Sequence, residues 1–465
     1  MTTVATVNPT TTDAETLVSR NPATGEMVGE VPITPVEAIP TIVRRARDAT
    51  KAWRGMTIDQ RIALIEPAGK KLIDRAEELG RLLTLEMGKP LAEAMGEVKG
   101  CGSTMSASLQ SIAEALKPEP LEDDSTASKM YFDPLGVAAV ITPWNFPLAM
   151  PHWMVLPALA AGNTVIMKPS EETPLIAHAY AEILNESLPP DVLQIIHGAD
   201  GQGKALVEAE VDLIAFTGSR ETGSKIMQAA GGGLKRLVLE LGGKDPLIVM
   251  EGADVEKAAE FAARNSFRNA GQVCVSTERI YVDDRIADRF QEAFIRHTQG
   301  MKVGSGLEED TKIGPMISAR QRDHVLSQVK DAVNRGAKVA YGGEGHHDQF
   351  VMPTILTEVN HTMPIMRDET FGPVACVARY ANPDEAVELA NDTPFGLGAV
   401  VFGPDEQAER VARQLDAGMV GINKSCGGAA GSPWVGAKQS GFGYHSGKAG
   451  HRQFTQTRVV SRPRG

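Results

Sequence analysis

Apolar residues recur at three- and four-residue intervals from Thr41 to Leu116, with Ala, Leu, Arg and Glu prominent, the spacing of amphipathic helices. The period breaks over 117–131, where Pro118 and Pro120 stand among acidic and polar residues, before Met130 and Phe132 alternate as in a strand. Beyond Pro134, short apolar runs alternate with helical stretches: 136–141 then 150–159, 164–167 then 175–188, 193–196 then 203–208, and 213–216 then 221–229. That alternation predicts parallel strands joined by crossover helices, and hence a doubly wound nucleotide-binding domain. After Glu240 a second alternation begins, with 246–250 before a helix near 255–269 and further strand-like runs at 280–282, 374–378, 399–401 and 420–422. The closing stretch, 453–460, alternates like an exposed strand with no partner in its own neighbourhood. The expected class is α/β.

Length and composition narrow the reading. At roughly 150 residues per domain, 465 residues make about three domains' worth of chain. A net charge of −12 disfavours nonspecific contact with nucleic acid or an anionic membrane. The longest apolar stretch, 154–161, is short of the ~20 residues a membrane span needs. Met1 to Asn8 has no basic patch leading into an apolar core, so no secretory signal is expected. Cys101, Cys274, Cys376 and Cys426 show neither paired nor metal-ligand spacing, which suits a reducing cytoplasm. His346-His347, in a Gly-rich loop, reads as solvated, and no metal is expected.

Chemistry concentrates in a few segments. Cys274, in Gly271-Gln272-Val273-Cys274, is a candidate nucleophile, and a thiol attacks only as thiolate. Glu240, in Leu239-Glu240-Leu241-Gly242-Gly243, is a carboxylate that could take a proton from that thiol or from a later water. A lone cysteine is more often a small buried hydrophobe. Company changes that weighting: Thr142-Pro143-Trp144-Asn145-Phe146-Pro147 offers an amide to polarise a carbonyl, and Phe216-Thr217-Gly218-Ser219 offers a glycine turn after an apolar run. Gly198-x-x-Gly201-x-Gly203 does not match the usual dinucleotide fingerprint.

These segments, with Asn21-Pro22-Ala23-Thr24-Gly25-Glu26, Lys168-Pro169-Ser170-Glu171, Glu240-Leu241-Gly242-Gly243-Lys244, Glu369-Thr370-Phe371-Gly372-Pro373 and Lys438-Gln439-Ser440-Gly441, resemble the aldehyde dehydrogenase superfamily over nearly the whole chain. The resemblance implies NAD(P)-dependent oxidation of a small-molecule aldehyde to an acid, through a Cys274 thiohemiacetal and thioester. It places the Asn145 amide and the Cys274 backbone N–H in an oxyanion hole. Glu240 would activate water, and since the CoA-acylating branch usually lacks a carboxylate here, water is the expected acyl acceptor. For the cofactor, Gly218, Ser219 and Gly223 match the pyrophosphate turn. Lys168, Ser170 and Glu171 match the adenine-side ribose contacts, with Glu171 favouring NAD and Lys168 and Ser170 tolerating NADP. Glu369 and Phe371 match the nicotinamide-ribose contacts, and Trp144 a backbone contact beside the amide.

Phe146, Met150, Trp153 and Trp434 match the family's substrate tunnel, which with Val273 and Val275 suits an aromatic or aliphatic aldehyde. A semialdehyde would need an arginine at the mouth. A cysteine esterase without redox chemistry is the other alternative. His445 stands where many relatives carry Glu, either moving protons or filling space. The implied domains are a nucleotide-binding domain (1–116 and 133–240), a catalytic domain (241–435) and an oligomerisation arm (117–132 and 436–465). The arm implies a homodimer or homotetramer.

Overall fold

The computed structural model describes residues 15–344 and 347–464, so the segment read for a secretory signal and His346 lie outside the described residues. Five helices, Ile39–Gly55, Ile58–Ile65, Pro67–Asp74, Ala76–Met87 and Leu91–Ala115, occupy the region of helical spacing. Their breaks have local causes. Thr57 and Gln60 satisfy each other's backbone amides in a reciprocal cap at the start of the second helix. Gly88, at φ 93°, ends the fourth in the left-handed region that favours glycine.

A six-stranded sheet follows, ordered Gly441–Phe442, Arg236–Glu240, Leu213–Thr217, Val137–Ile141, Thr164–Lys168, Leu193–Ile195. All neighbours are parallel except the short first strand. Its central strands, Leu213–Thr217, Val137–Ile141 and Thr164–Lys168, are buried on both faces, which is why they read as continuous apolar runs. Val137, Ala139 and Ile141 join one hydrophobic cluster, while Ala138 and Val140 join the other. Strand order reverses between Val137–Ile141 and Leu213–Thr217, and in such sheets the crevice beyond the strand ends at that point is where ligands bind.

The second sheet has seven strands: Lys338–Tyr341, Thr354–Thr357, Val374–Tyr380, Thr277–Asp283, Asp245–Val249, Gly398–Phe402 and Met419–Ile422. Only Lys338–Tyr341 runs antiparallel to its neighbour. The link from Glu240 to Asp245 is all that separates the two sheets along the chain, so Leu241-Gly242-Gly243 sits where they meet.

The tail shares a sheet with the segment that the resemblance grouped with it in the arm. Thr455–Pro463 pairs antiparallel with Thr126–Pro134 of the same chain over nine residues, and Glu119–Glu122 adds a third strand. The partner lies more than 300 residues away in sequence, so no local reading reveals it. Gly441–Phe442 first returns to the six-stranded sheet beside Leu239 and Glu240, and helix Gly447–Arg452 packs on Leu91–Ala115. The C-terminal strand of the arm therefore begins at Thr455 rather than at 436. Among the described residues no helix is long and apolar enough to cross a membrane.

Candidate active site

A cleft opens at the strand-order reversal and brings together Trp144, Asn145, Met150, Cys274, Glu369 and Phe371 with the Thr217-Gly218-Ser219 turn. Arg320, Gln321 and His324, on helix Ala319–Asn334, also face it; they are exposed-type residues on an amphipathic helix, and nothing in the sequence marked them.

The nucleophile loop is built from strained backbone. Helix Val255–Phe267 stops, and Asn269 (φ 52°), Ala270 (φ 55°) and Gly271 (φ 70°) follow in left-handed conformation. Such a run persists only where surrounding bonds over-determine it. Gln272 supplies two of them: its Nε2 donates to Asn269 O at 3.0 Å and its Oε1 accepts from Ile317 N at 2.9 Å. Asn145 Nδ2 donates to Gln272 O at 3.0 Å, and Asn269 Nδ2 donates to Asn145 O at 3.2 Å. The loops carrying Asn145 and Cys274 are thus bonded to each other.

A buried ion pair holds the Asn145 loop from behind. Lys89 Nζ lies 2.7 Å from Glu97 Oε2 and donates to Asn145 O at 2.8 Å. Glu97 Oε1 accepts from Leu148 N at 3.1 Å and Ala149 N at 3.0 Å, two amides at the start of helix Ala149–Ala161. Neither Lys89 nor Glu97 stood out in the sequence, because charged residues on a helical pattern read as a solvated face.

Electrostatics keep the thiol protonated. Cys274 is half-buried, and burial, then the neighbouring Asp245, Cys426, Glu369 and Glu240, push its thiol well above the ordinary range. Glu240, at the end of strand Arg236–Glu240, is only 3% exposed, and neither carboxylate oxygen has a hydrogen-bond partner among the described residues. Burial raises its carboxyl well above the usual range, offset in part by the nearby His445 backbone N–H, which itself donates to Trp434 O at 3.3 Å. Glu369 accepts from Gly243 N at 3.1 Å and is pushed up to about 8, chiefly by burial.

On the expected cofactor side, Lys168 Nζ donates to Pro169 O at 2.9 Å and lies 3.6 Å from Glu171, while Ser170 Oγ accepts from Glu172 N at 3.2 Å. None of the three lines the cleft beside Cys274; they sit at the end of the adjoining strand, Thr164–Lys168. Ser219 caps helix Arg220–Gly231 by accepting from Thr222 N, leaving the amides of the first turn at the cleft. Gly223 requires a correction. Its N–H is bonded to Ser219 O, and a Cβ there would lie 2.5 Å from a Leu241 methyl, so this glycine serves close helix packing rather than offering a free amide.

The tunnel residues divide. Met150 lines the cleft, but Phe146, Trp153 and Trp434 stand apart from that lining. Trp153 and Trp434 form a three-ring stack with His445, with centroids 5.8 to 6.2 Å apart. Burial drives the His445 imidazole down to about 3, so the ring is neutral, and its Nδ1 lies 2.7 Å from Ser446 Oγ. Phe146 lies between two cations: Lys89 Nζ is 3.9 Å from the ring centroid and the Arg268 guanidinium 5.4 Å. Arg268 had no sequence signal. Among the described residues no group of His, Cys, Asp and Glu could hold a metal.

Comparison with known proteins gives the family and the fold. A sequence model of the aldehyde dehydrogenase family matches residues 10–460. The chain is 38% identical to a chloroplastic aminoaldehyde dehydrogenase of Arabidopsis thaliana, covering 95% of this chain and 91% of that one. It is 37% identical to a glutarate-semialdehyde dehydrogenase of Pseudomonas putida, over 96% and 94%. Among solved structures, an NAD-dependent aldehyde dehydrogenase from Sinorhizobium meliloti superposes with a TM-score of 0.93 at 35% identity, over 97% and 92% of the two chains. A betaine aldehyde dehydrogenase from Staphylococcus aureus in complex with NAD+ gives 0.92 at 34%, over 96% and 91%.

Proposed function

The chain belongs to the aldehyde dehydrogenase family, and we propose that it oxidises apolar-bodied aldehydes to carboxylic acids with NAD, through a thioester on Cys274 that water hydrolyses. The observation that carries this reading is the convergence of Cys274, the Asn145 amide and the uncharged side chains of Trp144, Met150 and Phe371 on one cleft. Apolar side chains of that kind accept flat or aliphatic bodies by burial.

The cleft fits a dinucleotide on its own features. Gly218 has no side chain where a Cβ would lie 2.4 Å from the Phe216 ring, Thr217 Oγ1 is buried without a partner, and a helix start points its amides at the same place. Glu171, half-exposed beside Lys168, suits the two hydroxyls of a ribose better than a 2′-phosphate, which favours NAD over NADP. When bound, the dinucleotide accepts the hydride that leaves the carbon attached to sulfur.

The remaining work falls to the chain. Cys274 gives its proton to solvent in the open cleft, and its sulfur bonds to the aldehyde carbon. The carbonyl oxygen, now negative, takes hydrogen bonds from the Asn145 amide and from the Cys274 backbone N–H, which has no backbone partner among the described residues. Once the thioester has formed, Glu240 takes a proton from water, whose oxygen attacks the acyl carbon. The carbon–sulfur bond breaks, and the thiol returns.

A second reading is favoured by Arg268. Its guanidinium lies over Phe146, 3.6 Å from Glu93, with half of its side chain exposed, so the terminal carboxylate of a semialdehyde has a partner there. The same cation opposes an ammonium-bearing aldehyde. Reduced-nicotinamide absorbance with benzaldehyde, hexanal, succinate semialdehyde and betaine aldehyde, each with NAD and NADP, decides between them. The proposal expects kcat/KM highest for the first two. A preference for succinate semialdehyde that disappears in Arg268→Ala establishes the second reading, and a preference for betaine aldehyde refutes both.

The three-stranded sheet exposes Leu121, Val459 and Val460 and has two free edges. We propose that it joins subunits into a dimer or tetramer.

A further inference from the structure

We propose that Glu278, paired with Lys244, is a positioning residue that holds the Glu369–Phe371 loop in its cofactor-binding conformation; this rests on the reading that the loop meets the nicotinamide end of NAD. The observation behind it is an outlier. Phe371 has φ 49°, a left-handed backbone conformation that a bulky side chain adopts only when its surroundings impose it.

The imposing contacts come from one carboxylate. Glu278 Oε1 accepts from Phe371 N at 2.8 Å, and Oε2 accepts from Thr370 N at 2.8 Å and from Lys244 Nζ at 2.5 Å. Lys244 Nζ also donates to Thr370 Oγ1 at 2.9 Å, and that hydroxyl donates to Gln328 Oε1 at 2.7 Å. On the far side of Phe371, Gln321 Nε2 donates to its carbonyl at 3.1 Å. The peptide groups of both residues are therefore pinned, and the Phe371 ring is left to meet Trp144 edge-on at 5.4 Å, beside the Asn145 amide.

A buried ion pair is weak evidence for stability, since desolvating two charges offsets most of their attraction. The Lys244 and Glu278 side chains are 0% and 2% exposed, as costly a placement as the fold offers. What the pair achieves is geometric. Glu278 lies on strand Thr277–Asp283, immediately after the Cys274 loop, so one rigid strand fixes both the nucleophile and the loop opposite it. Lys244 ends the Leu241-Gly242-Gly243 link, whose Gly243 N–H binds Glu369. Nucleophile, cofactor loop and the junction of the two sheets thus meet at this carboxylate.

The test compares two double variants of the full chain, neither with an unpaired buried charge. Lys244→Met/Glu278→Gln keeps one acceptor oxygen for one of the two loop amides, and Lys244→Met/Glu278→Leu removes both acceptors. Calorimetric titration with NAD, and with AMP as a probe of the adenosine side alone, reads the outcome, with Phe371→Ala as reference. The Leu variant should bind NAD about tenfold more weakly than the Gln variant, with AMP affinity equal in the two, since stranding two amides rather than one forfeits a further net hydrogen bond. Equal NAD affinity in the two while Phe371→Ala loses NAD overturns the positioning role and leaves the loop reading standing. NAD affinity unmoved in all three overturns both. Parallel losses for NAD and AMP in the Leu variant mean a general structural role, and also overturn the proposal.

Discussion

Gly271→Ala is the sharpest test of how the two loops of the site are coupled. Gly271 has φ 70°, and a Cβ built there would lie 2.0 Å from Gly372 O and 2.2 Å from Gly372 C. Side-chain carbons do not approach backbone closer than about 3 Å, so the turn before Cys274 and the loop after Phe371 must separate by about 1 Å. The left-handed conformation adds about 1–2 kcal/mol of strain for an alanine. A displacement of 1 Å at a reacting group lowers rates by about 10²-fold, because reacting atoms lose their near-attack geometry. Rapid-mixing measurement of the first turnover of reduced nicotinamide should therefore show the burst slowed by about two orders of magnitude. Gly100→Ala is the control: it sits within helix Leu91–Ala115 with nothing within 4 Å of a new Cβ, and should gain about 0.5–1 kcal/mol of stability with an unchanged burst. A folded Gly271→Ala protein whose burst stays within about threefold of the parent would refute the reasoning, because a 1 Å displacement should cost far more.

Cys274→Ser should lose aldehyde oxidation by at least about 10³-fold while calorimetry shows NAD binding retained, and turnover near the parent value would remove Cys274 as nucleophile. Glu240→Gln should keep the burst but slow the steady state by about 10²–10⁴-fold. Burial raises the Glu240 carboxyl, so its base form grows in as pH rises through that raised value; the parent's steady-state rate should climb with pH there and the variant's should not. Burst and steady state falling together would instead place Glu240 in thiol activation. His445→Phe should keep kcat within about threefold, since a ring titrating near 3 is neutral at working pH, and a tenfold loss with a vanished pH limb would make His445 a proton carrier. Deleting residues after His451 strips the nine-residue pairing from Thr126–Pro134 and exposes its edge, so light scattering should show aggregate or monomer with little activity. A stable, active oligomer of normal mass would show the arm to be dispensable.

What was legible in the sequence, and what was not, divides along physical lines. Strands such as Val137–Ile141 and Thr164–Lys168 are buried on both faces, so their burial is written locally as apolar runs. Lys338–Tyr341 is a half-exposed edge strand and carries no such signal. The pairing of Thr455–Pro463 depends on a strand elsewhere in the chain, and the alternation of one partner cannot name the other. The site was read through residues whose local conformation is unusual: Cys274 and Asn145 sit in glycine- and proline-bearing loops, where Gly271 must take a positive φ. Glycine alone misled at Gly223, where the same signal serves packing against Leu241.

Lys89, Glu97 and Glu278 escaped because a charge reads as solvent-facing until its partner is placed, and Lys244 was marked only as the end of a glycine-bearing segment. Glu240 is the converse case. Both of its carboxylate oxygens are buried with nothing to accept from, while Glu97 and Glu278 each satisfy two backbone amides and a lysine. Structural carboxylates such as Glu97 and Glu278 are thus fully bonded, while Glu240 and Asp245, both near enough to raise the Cys274 thiol, keep free lone pairs with capacity for a proton.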